Sequence, residues 1–502
     1  MLARSPQGFS PVLIWVLIVP LVLLVSLLTA FAPGQSVALV LGAAFVSVAF
    51  IVPQSWLIVW TLIFAALIGG SIEYFLGIGQ ANWIPFILSL VLAARAILGS
   101  NSPTLAGQPR ATQPTALFAV PAWIFLAILV GSSALNAVPI LQVLAAAKNY
   151  LLMWGVLVAF ALLPDLKRAT LLVWKWILVI AAFQLPVAMY QKFFIASKLS
   201  NTSGSLSFDA INGTFGGGLL GGRSGALAMF ICIALAYALI QWRDKKWKTY
   251  QLIAYLMVTL PTLAIVEVKA TVFWLPAVVL LVFFSLINRR PLTFVVTLIV
   301  SLLAALGILY IYQQSYGGTT GGDSLVAAFL RQIYYVFDPD RFNPITRELG
   351  RMSVLTHWWR ENSIDDPLHF LLGYGPGASR GVSTIAVGSV AANYNFLIDI
   401  SAAAALLWDT GLLGLLTFLT MLLLGAMQIK VMARKLGNDE SFKVNLEAAF
   451  IALLLILSSV FYVRDAVDGP IIQFTMFFCL GHAIFGQGKR QNAQHKRLIA
   501  RP

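Results

Sequence analysis

The sequence predicts an all-α, polytopic integral membrane protein with twelve to fourteen transmembrane helices and one large external helical loop. Three observations carry this. Hydrophobic residues make up 60% of the 502 and charged residues only 10%, a composition far outside that of soluble domains. Apolar stretches near the length of about 20 residues that a spanning helix needs recur along most of the chain. The lysines and arginines then fall mostly on one side of those stretches.

The apolar stretches run over 11–32, 36–52, 55–72, 82–98, 115–132, 140–163, 170–190, 223–242, 251–266, 271–287, 292–312, 406–430, 447–463 and 470–486. The first is too long for a signal-peptide core and runs on into further spans, so it reads as a retained helix. Little more than Pro53-Gln54 separates the second from the third, which is why the expected count is a range. Cys232 and Cys479 both fall inside spans and indicate neither a disulfide nor a metal.

With the N-terminus inside, the clusters Arg243-Asp244-Lys245-Lys246-Trp247-Lys248, Arg289-Arg290, Arg434-Lys435 and the tail from Lys489-Arg490 to Arg501 all share the cytoplasmic side. The net charge of +14 therefore orients the chain and meets anionic headgroups, and no nucleic-acid partner is implied. Both termini are expected inside. Four regions follow: N-terminal spans (1–194), central spans with a glycine-rich external loop (195–312), a large external loop (313–405), and C-terminal spans with a basic tail (406–502).

Every cation in the large loop is an arginine: Arg331, Arg341, Arg347, Arg351, Arg360 and Arg380. The planar guanidinium fork suits phosphate oxygens better than lysine's point charge does. Salt bridges to the loop acids are the competing use. Apolar periodicity predicts helices over Ser324 to Phe337 and Leu349 to Trp359, the second placing Arg347 and Arg351 on one face. Gly373-Tyr374-Gly375-Pro376-Gly377 demands unusual backbone angles or a close approach.

Outside that loop, Arg223 sits where a glycine-rich turn enters a span, a plausible anion site. Lys269 stands at the external edge of another span, two residues from Glu267, where a charge is expensive and usually functional. His357 and His369 are external and either could serve as a general base. Asp465 and Asp468 fit equally a turn cap or a carboxylate pair. No residues have metal-ligand spacing, and no nucleophile elbow or phosphate-cradling loop occurs.

Four places resemble the O-antigen ligase and O-antigen polymerase superfamily of bacterial envelope glycosyltransferases. They are Gly213-Thr214-Phe215-Gly216 with Arg223; Glu267-Val268-Lys269 through Trp274, with lysine where the family has arginine; Gly350-Arg351, Trp358-Trp359, Pro367 and the Gly373–Gly377 run; and Asp409-Thr410-Gly411-Leu412-Leu413-Gly414. The resemblance covers about 200–430. It implies a GT-C-like architecture in the bacterial inner membrane, with the large loop periplasmic. The implied reaction moves a polyprenyl-diphosphate-linked oligosaccharide without metal or cofactor. Membrane lipids, a chain-length regulator and a flippase of the same pathway are the implied partners.

By the same resemblance Arg223 and Lys269 fall on donor-phosphate positions, and Arg351 on the loop arginine. Arg380 and Tyr374 join them as expected substrate contacts. Ligases carry a His-Asn pair near the loop's end; here Asn393-Tyr394-Asn395 has no histidine. That departure favours a polymerase over a ligase and leaves Asp399 or His357 to stand in as base. A lipid-linked oligosaccharide flippase or other transporter is the remaining expectation. It fits the span count, but few mid-span charges (Lys148, Lys175) and no resemblance between the halves support it.

Overall fold

A computed structural model of the chain describes residues 47–100, 116–162, 167–200, 210–218, 221–266, 268–284, 287, 290–316, 334, 337–343, 347–362, 365–381, 386–435 and 440–499. The spans expected at 11–32 and over most of 36–52 lie outside these residues, as do most of Ser324–Phe337, Arg331 and Glu267.

The described chain is an all-α, multi-pass assembly. Its helices are α1 (Gln54–Leu76), α2 (Gly79–Leu98), α3 (Ala119–Leu135), α4 (Ile140–Tyr150), α5 (Trp154–Leu162), α6 (Arg168–Leu199), α7 (Ser224–Arg243) and α8 (Thr249–Val266). There follow α9 (Thr271–Phe283), α10 (Pro291–Tyr316), α11 (Ser353–Glu361), α12 (Pro367–Leu372), α13 (Ala402–Lys435), α14 (Glu440–Ser459), α15 (Asp465–Asp468) and α16 (Pro470–Ile499).

Among the described residues eight helices are long and apolar enough to cross a membrane, or nine if α4 and α5, bent by 58°, form one span. The apolar helices α3 and α9 and the first half of α16 are shorter. The single span expected over 140–163 is thus a broken pair. Among the described residues the strands form two short hairpins, Gly217–Gly218 with Gly221–Gly222 and Phe342–Asn343 with Glu348–Leu349.

The helix at the centre is α7, whose residues Gly225 to Ile240 are all buried. Small residues alternate with large ones along it (Ala226, Ala228, Ala234, Ala236), so neighbouring helices approach closely on every face. The two ends of the bundle differ chemically. At one end Arg243 donates to the Val282 carbonyl and pairs with Glu447. At the other, Gly225 meets Val463, and the N–H of Ala402 bonds the Val463 carbonyl at 3.0 Å. The glycine-rich loop, the Lys269 turn, α11, α12 and α15 gather at this second end, called the loop end below.

Helix α13 is broken at Gly411, where φ is +66° and ψ is −171°. The break lets its first turns meet the loop backbone edge-on. The N–H groups of Tyr374 and Gly375 bond the carbonyls of Trp408 and Asp409 at 2.9 and 3.0 Å. Gly373 (φ +69°) packs so tightly that a Cβ would lie 2.5 Å from Asp409 C and Thr410 N, and one on Gly411 would lie 2.3 Å from Leu371 C. Glycine is required twice over here, by conformation and by contact.

The helix expected from Leu349 begins only at Ser353. Arg347 instead turns the 342–349 hairpin at φ +55°. It therefore shares no helical face with Arg351.

Gly373→Ala and Gly411→Ala should each destabilise by about 3 kcal/mol or more, left-handed strain and overpacking adding together. Gly77 has the same φ of +69° with nothing within 4 Å of its Cβ, so Gly77→Ala should cost only about 1–2 kcal/mol. Thermal unfolding of the detergent-purified variants measures the difference.

Candidate active site

The glycine-rich loop is held by two buried glutamines of α6. Gln184 Oε1 accepts the N–H of Thr214 at 2.9 Å, while Gln191 Oε1 accepts those of Asn212 and Gly213 at 3.0 and 2.7 Å. Thr214 Oγ1 donates to the Ala66 carbonyl at 2.5 Å. This rigid turn delivers Arg223 to the start of α7, where its Nη1 lies 3.4 Å from the Phe215 carbonyl.

A second support comes from Asp409, one residue after Trp408 in α13. Its buried carboxylate accepts the N–H groups of Gly377 (2.7 Å) and Ser379 (2.8 Å) and the Tyr150 hydroxyl (2.8 Å). Gln142 Nε2 bonds the Pro376 carbonyl at 3.2 Å. The Gly-Tyr-Gly-Pro-Gly loop is thereby fixed over α4 and α13, and Arg380 follows directly from it.

Between these supports lies a small cavity lined by Asn149, Tyr150, Gly377, Ser379, Arg380, Asp399, Asp409, Arg464 and Asp468, with Ala146, Ala405 and Val467. It encloses ≈ 20 Å³, the room of about one water. Ion pairs fill the rest. Arg380 Nη1 lies 3.3 Å from Asp468 Oδ2, Arg464 Nε lies 2.8 Å from the same oxygen, and Arg464 Nη1 binds Asp399. Arg223 Nε is 3.9 Å from Asp465 Oδ1. Lys148 of α4 is within electrostatic reach of both Arg223 and Arg380, with its Nζ 5.7 Å from the centre of the Trp83 ring.

Two adjacent carboxyls on α15 respond oppositely. Burial pushes Asp465 up to about 6, the charge of Asp468 adding to it, against the pull of Arg223 and Arg464. Burial also acts on Asp468, but Arg464, Arg380, Arg223 and Lys148 overcome it and hold that carboxyl below the usual range. Asp468 is thus a fixed anion and Asp465 one that titrates near neutrality.

Of the residues expected from the sequence, Arg223, Arg380 and Asp399 converge on this network. Asp399 is committed to Arg464 and nearly fully buried, at 2% exposure, so it positions an arginine and is poorly placed to accept a substrate proton. Lys269 sits at the same end of the bundle, half-buried in the turn before α9, and is absent from the cavity lining. Arg351 pins the loop to the bundle: its Nη1 bonds the Ile400 carbonyl at 2.6 Å and its guanidinium lies 5.2 Å from the centre of the Tyr462 ring.

Tyr374 stacks on His369 at 4.2 Å, and His369 is held between Asp366 Oδ2 (2.6 Å) and Asn136 Oδ1 (3.0 Å). His357 has a buried Nε2 with no hydrogen-bond partner. Burial lowers its basicity, keeping the imidazole neutral at pH 7. In the sequence Arg464 has no evident role, Lys148 is a mid-span charge and Asp409 is one residue of a motif. The charged turn Arg464–Asp468 was the available signal.

No family model matches the chain, and no curated protein sequence matches it either. Among the described residues no three His, Cys, Asp or Glu side chains are grouped to hold a metal. The arrangement itself is a cluster of four cations, Lys148, Arg223, Arg380 and Arg464, balanced by buried carboxylates that an entering anion could replace.

Such replacement should depend on pH. Above about pH 6 Asp465 is a carboxylate that engages Arg223; below it, protonation releases the guanidinium. Sulfate, which does not titrate in this range, should therefore raise the melting temperature more at pH 5 than at pH 8. Asp465→Asn should hold the pH 5 response throughout.

Proposed function

We propose that the chain is a membrane glycosyltransferase of the O-antigen polymerase and ligase type. It would join polyprenyl-diphosphate-linked oligosaccharide repeats into an exopolysaccharide, O-antigen or capsule at the periplasmic face of the bacterial inner membrane. The observation that carries this is the cluster of Arg223, Arg380, Arg464 and Lys148 at the loop end of an apolar bundle, opposite the end holding Arg243 and Glu447. A diphosphate on a lipid anchor is the anion that such a place suits. Its headgroup stands at the bundle's end while its tail lies in the bilayer.

In this reading the donor's diphosphate oxygens displace Asp465 and Asp468 from Arg223 and Arg380. The acceptor hydroxyl oxygen bonds to the anomeric carbon as the bond from that carbon to the diphosphate breaks, its electron pair leaving with the diphosphate. The guanidinium groups meet the charge that develops there, the largest electrostatic demand of the step. The acceptor's proton goes to a base, for which His357 Nε2 is the unpartnered, neutral candidate. Arg464 stays with Asp399 and Asp468, keeping the floor of the site rigid. Arg351 and the Asp409 clamp hold the loop in place, and Lys269 attracts the headgroup at the rim.

Replacing Arg380 or Arg223 with alanine should lower polymer formation from lipid-linked repeats in nanodiscs by about 100-fold, the scale of losing one preorganised charge contact. Arg360→Ala, which breaks only an exposed pair with Asp340, should change nothing. Polymer at the usual rate from Arg380→Ala would contradict the proposal. In cells, loss of a polymerase leaves single repeats attached, whereas loss of a ligase leaves long chains on the carrier.

A further inference from the structure

The loop end carries a second feature that the cation cavity leaves unused. Aromatic and imidazole rings from three separate segments converge on Trp408. His357 lies 5.2 Å from Tyr394, 5.3 Å from Phe396 and 6.1 Å from Trp408. Tyr374 and Tyr394 each stand 6.0 Å from Trp408, and Tyr394 is 5.2 Å from Phe396. Ring clusters within the bundle, such as Trp174 with Tyr237 and Phe478, are buried throughout. This one reaches the surface: His357, Tyr374, Tyr394 and Phe396 are half-buried, and the exposed Glu361 brings its carboxylate within 3.5 Å of the Tyr394 hydroxyl.

The nest also holds polar groups that the protein does not use. His357 Nε2 and Trp408 Nε1 are both without hydrogen-bond partners, whereas packed interiors satisfy nearly all such atoms. Burial and the charge of Glu361 push the Tyr394 phenol up to about 12, so it remains a neutral donor across physiological pH.

We propose that this nest is a carbohydrate subsite that takes one hexopyranose of the glycan. An aromatic face carries the negative lobe of its quadrupole, and the C–H face of a pyranose offers weakly positive hydrogens to it. The ring's hydroxyls point sideways, toward the Glu361 carboxylate, which accepts, the Tyr394 phenol, which donates and accepts, and the covered His357 Nε2. A quaternary ammonium would also stack in such a nest. The ammonium group itself, however, has no acceptor for the Trp408 indole N–H and no donor for His357, and choline carries one hydroxyl where a pyranose carries several.

The nest and the cation cavity are joined by adjacent residues: Trp408 lies in the nest, and Asp409 holds the loop that lines the cavity. A sugar bound there would offer a hydroxyl to His357, making that sugar the acceptor. That acceptor role rests on the proposed glycosyl transfer; the binding of sugar does not.

Saturation-transfer NMR on the full chain, in nanodiscs free of choline lipids, tests the site with cellotetraose, chitotetraose and maltotetraose as probes and choline chloride as competitor. The expected result is transfer to the ring C–H protons of at least one oligosaccharide. Tyr394→Ala and Phe396→Ala should each weaken it by about tenfold or more, while Tyr394→Phe, which keeps the ring, should retain most of it. Arg380→Ala should leave it unchanged, so that sugar binding without polymer formation in that variant separates the two sites. No transfer from any of the three sugars, transfer unaffected by both alanine variants, or saturable binding of choline instead would overturn the subsite. If Arg380→Ala keeps full polymer formation while the sugar binds, the diphosphate reading fails and the nest stands.

Discussion

The structure at the loop end depends on the carboxylate of Asp409. It sits in the last turn before a helix break and draws in two backbone N–H groups of the Gly-Tyr-Gly-Pro-Gly loop and one phenol. Hydrogen bonds to a charged acceptor are the strong ones, and stronger still away from water. With the Gln142 bond to the Pro376 carbonyl and the Arg380–Asp468 pair, this clamp fixes Arg380 over α4. The clamp is possible only because Gly373 and Gly411 let two backbones touch where any side chain would intrude. Conformation, contact and charge thus reinforce one another at a single place.

The cation cluster illustrates a second constraint. Four basic groups near the end of an apolar bundle would repel one another and lose hydration. The fold answers with Asp399, Asp465 and Asp468, each on a different arginine or shared between two. These carboxylates have unequal tasks. Asp399 and Asp468 are structural counter-charges, whereas Asp465 is the weakest partner, at 3.9 Å and with a raised pKa. Under the proposed exchange of these anions for a diphosphate, Asp465 is the one that would let go most readily. At ≈ 20 Å³ the cavity holds about one water, so a larger anion would enter only where ion pairs part.

Much of this was legible in the sequence, and the failures have physical reasons. The apolar runs located helices throughout the described chain, because hydropathy reports directly on burial in lipid. The glycine run and the Asp-x-Gly element announced unusual backbone, though not that they pack against each other. Hydropathy is blind to direction, so the 58° bend between α4 and α5 read as one span. Apolar periodicity near Leu349 suggested a longer helix, since nothing local reveals that Arg347 adopts φ +55°. Asp465 and Asp468 stood out as a turn cap or a carboxylate pair, and Arg464 directly precedes them. Their partners Arg223, Arg380 and Asp399 lie far away in the chain, and long-range pairing is what a single sequence conceals. Lys269 drew attention by its cost near the membrane edge, and the same argument applied to Lys148 would have found a cation closer to the cavity.

The most direct test is a cryo-EM map of the protein in nanodiscs with a polyprenyl-diphosphate-linked repeat. The account predicts diphosphate density within hydrogen-bond distance of Arg223 and Arg380, with Asp465 released from Arg223, Asp468 released from Arg380 but still on Arg464, and the tail running along the bundle. Diphosphate at the opposite end, among Arg243 and its basic neighbours, or a cluster with every ion pair intact beside bound lipid, would contradict it.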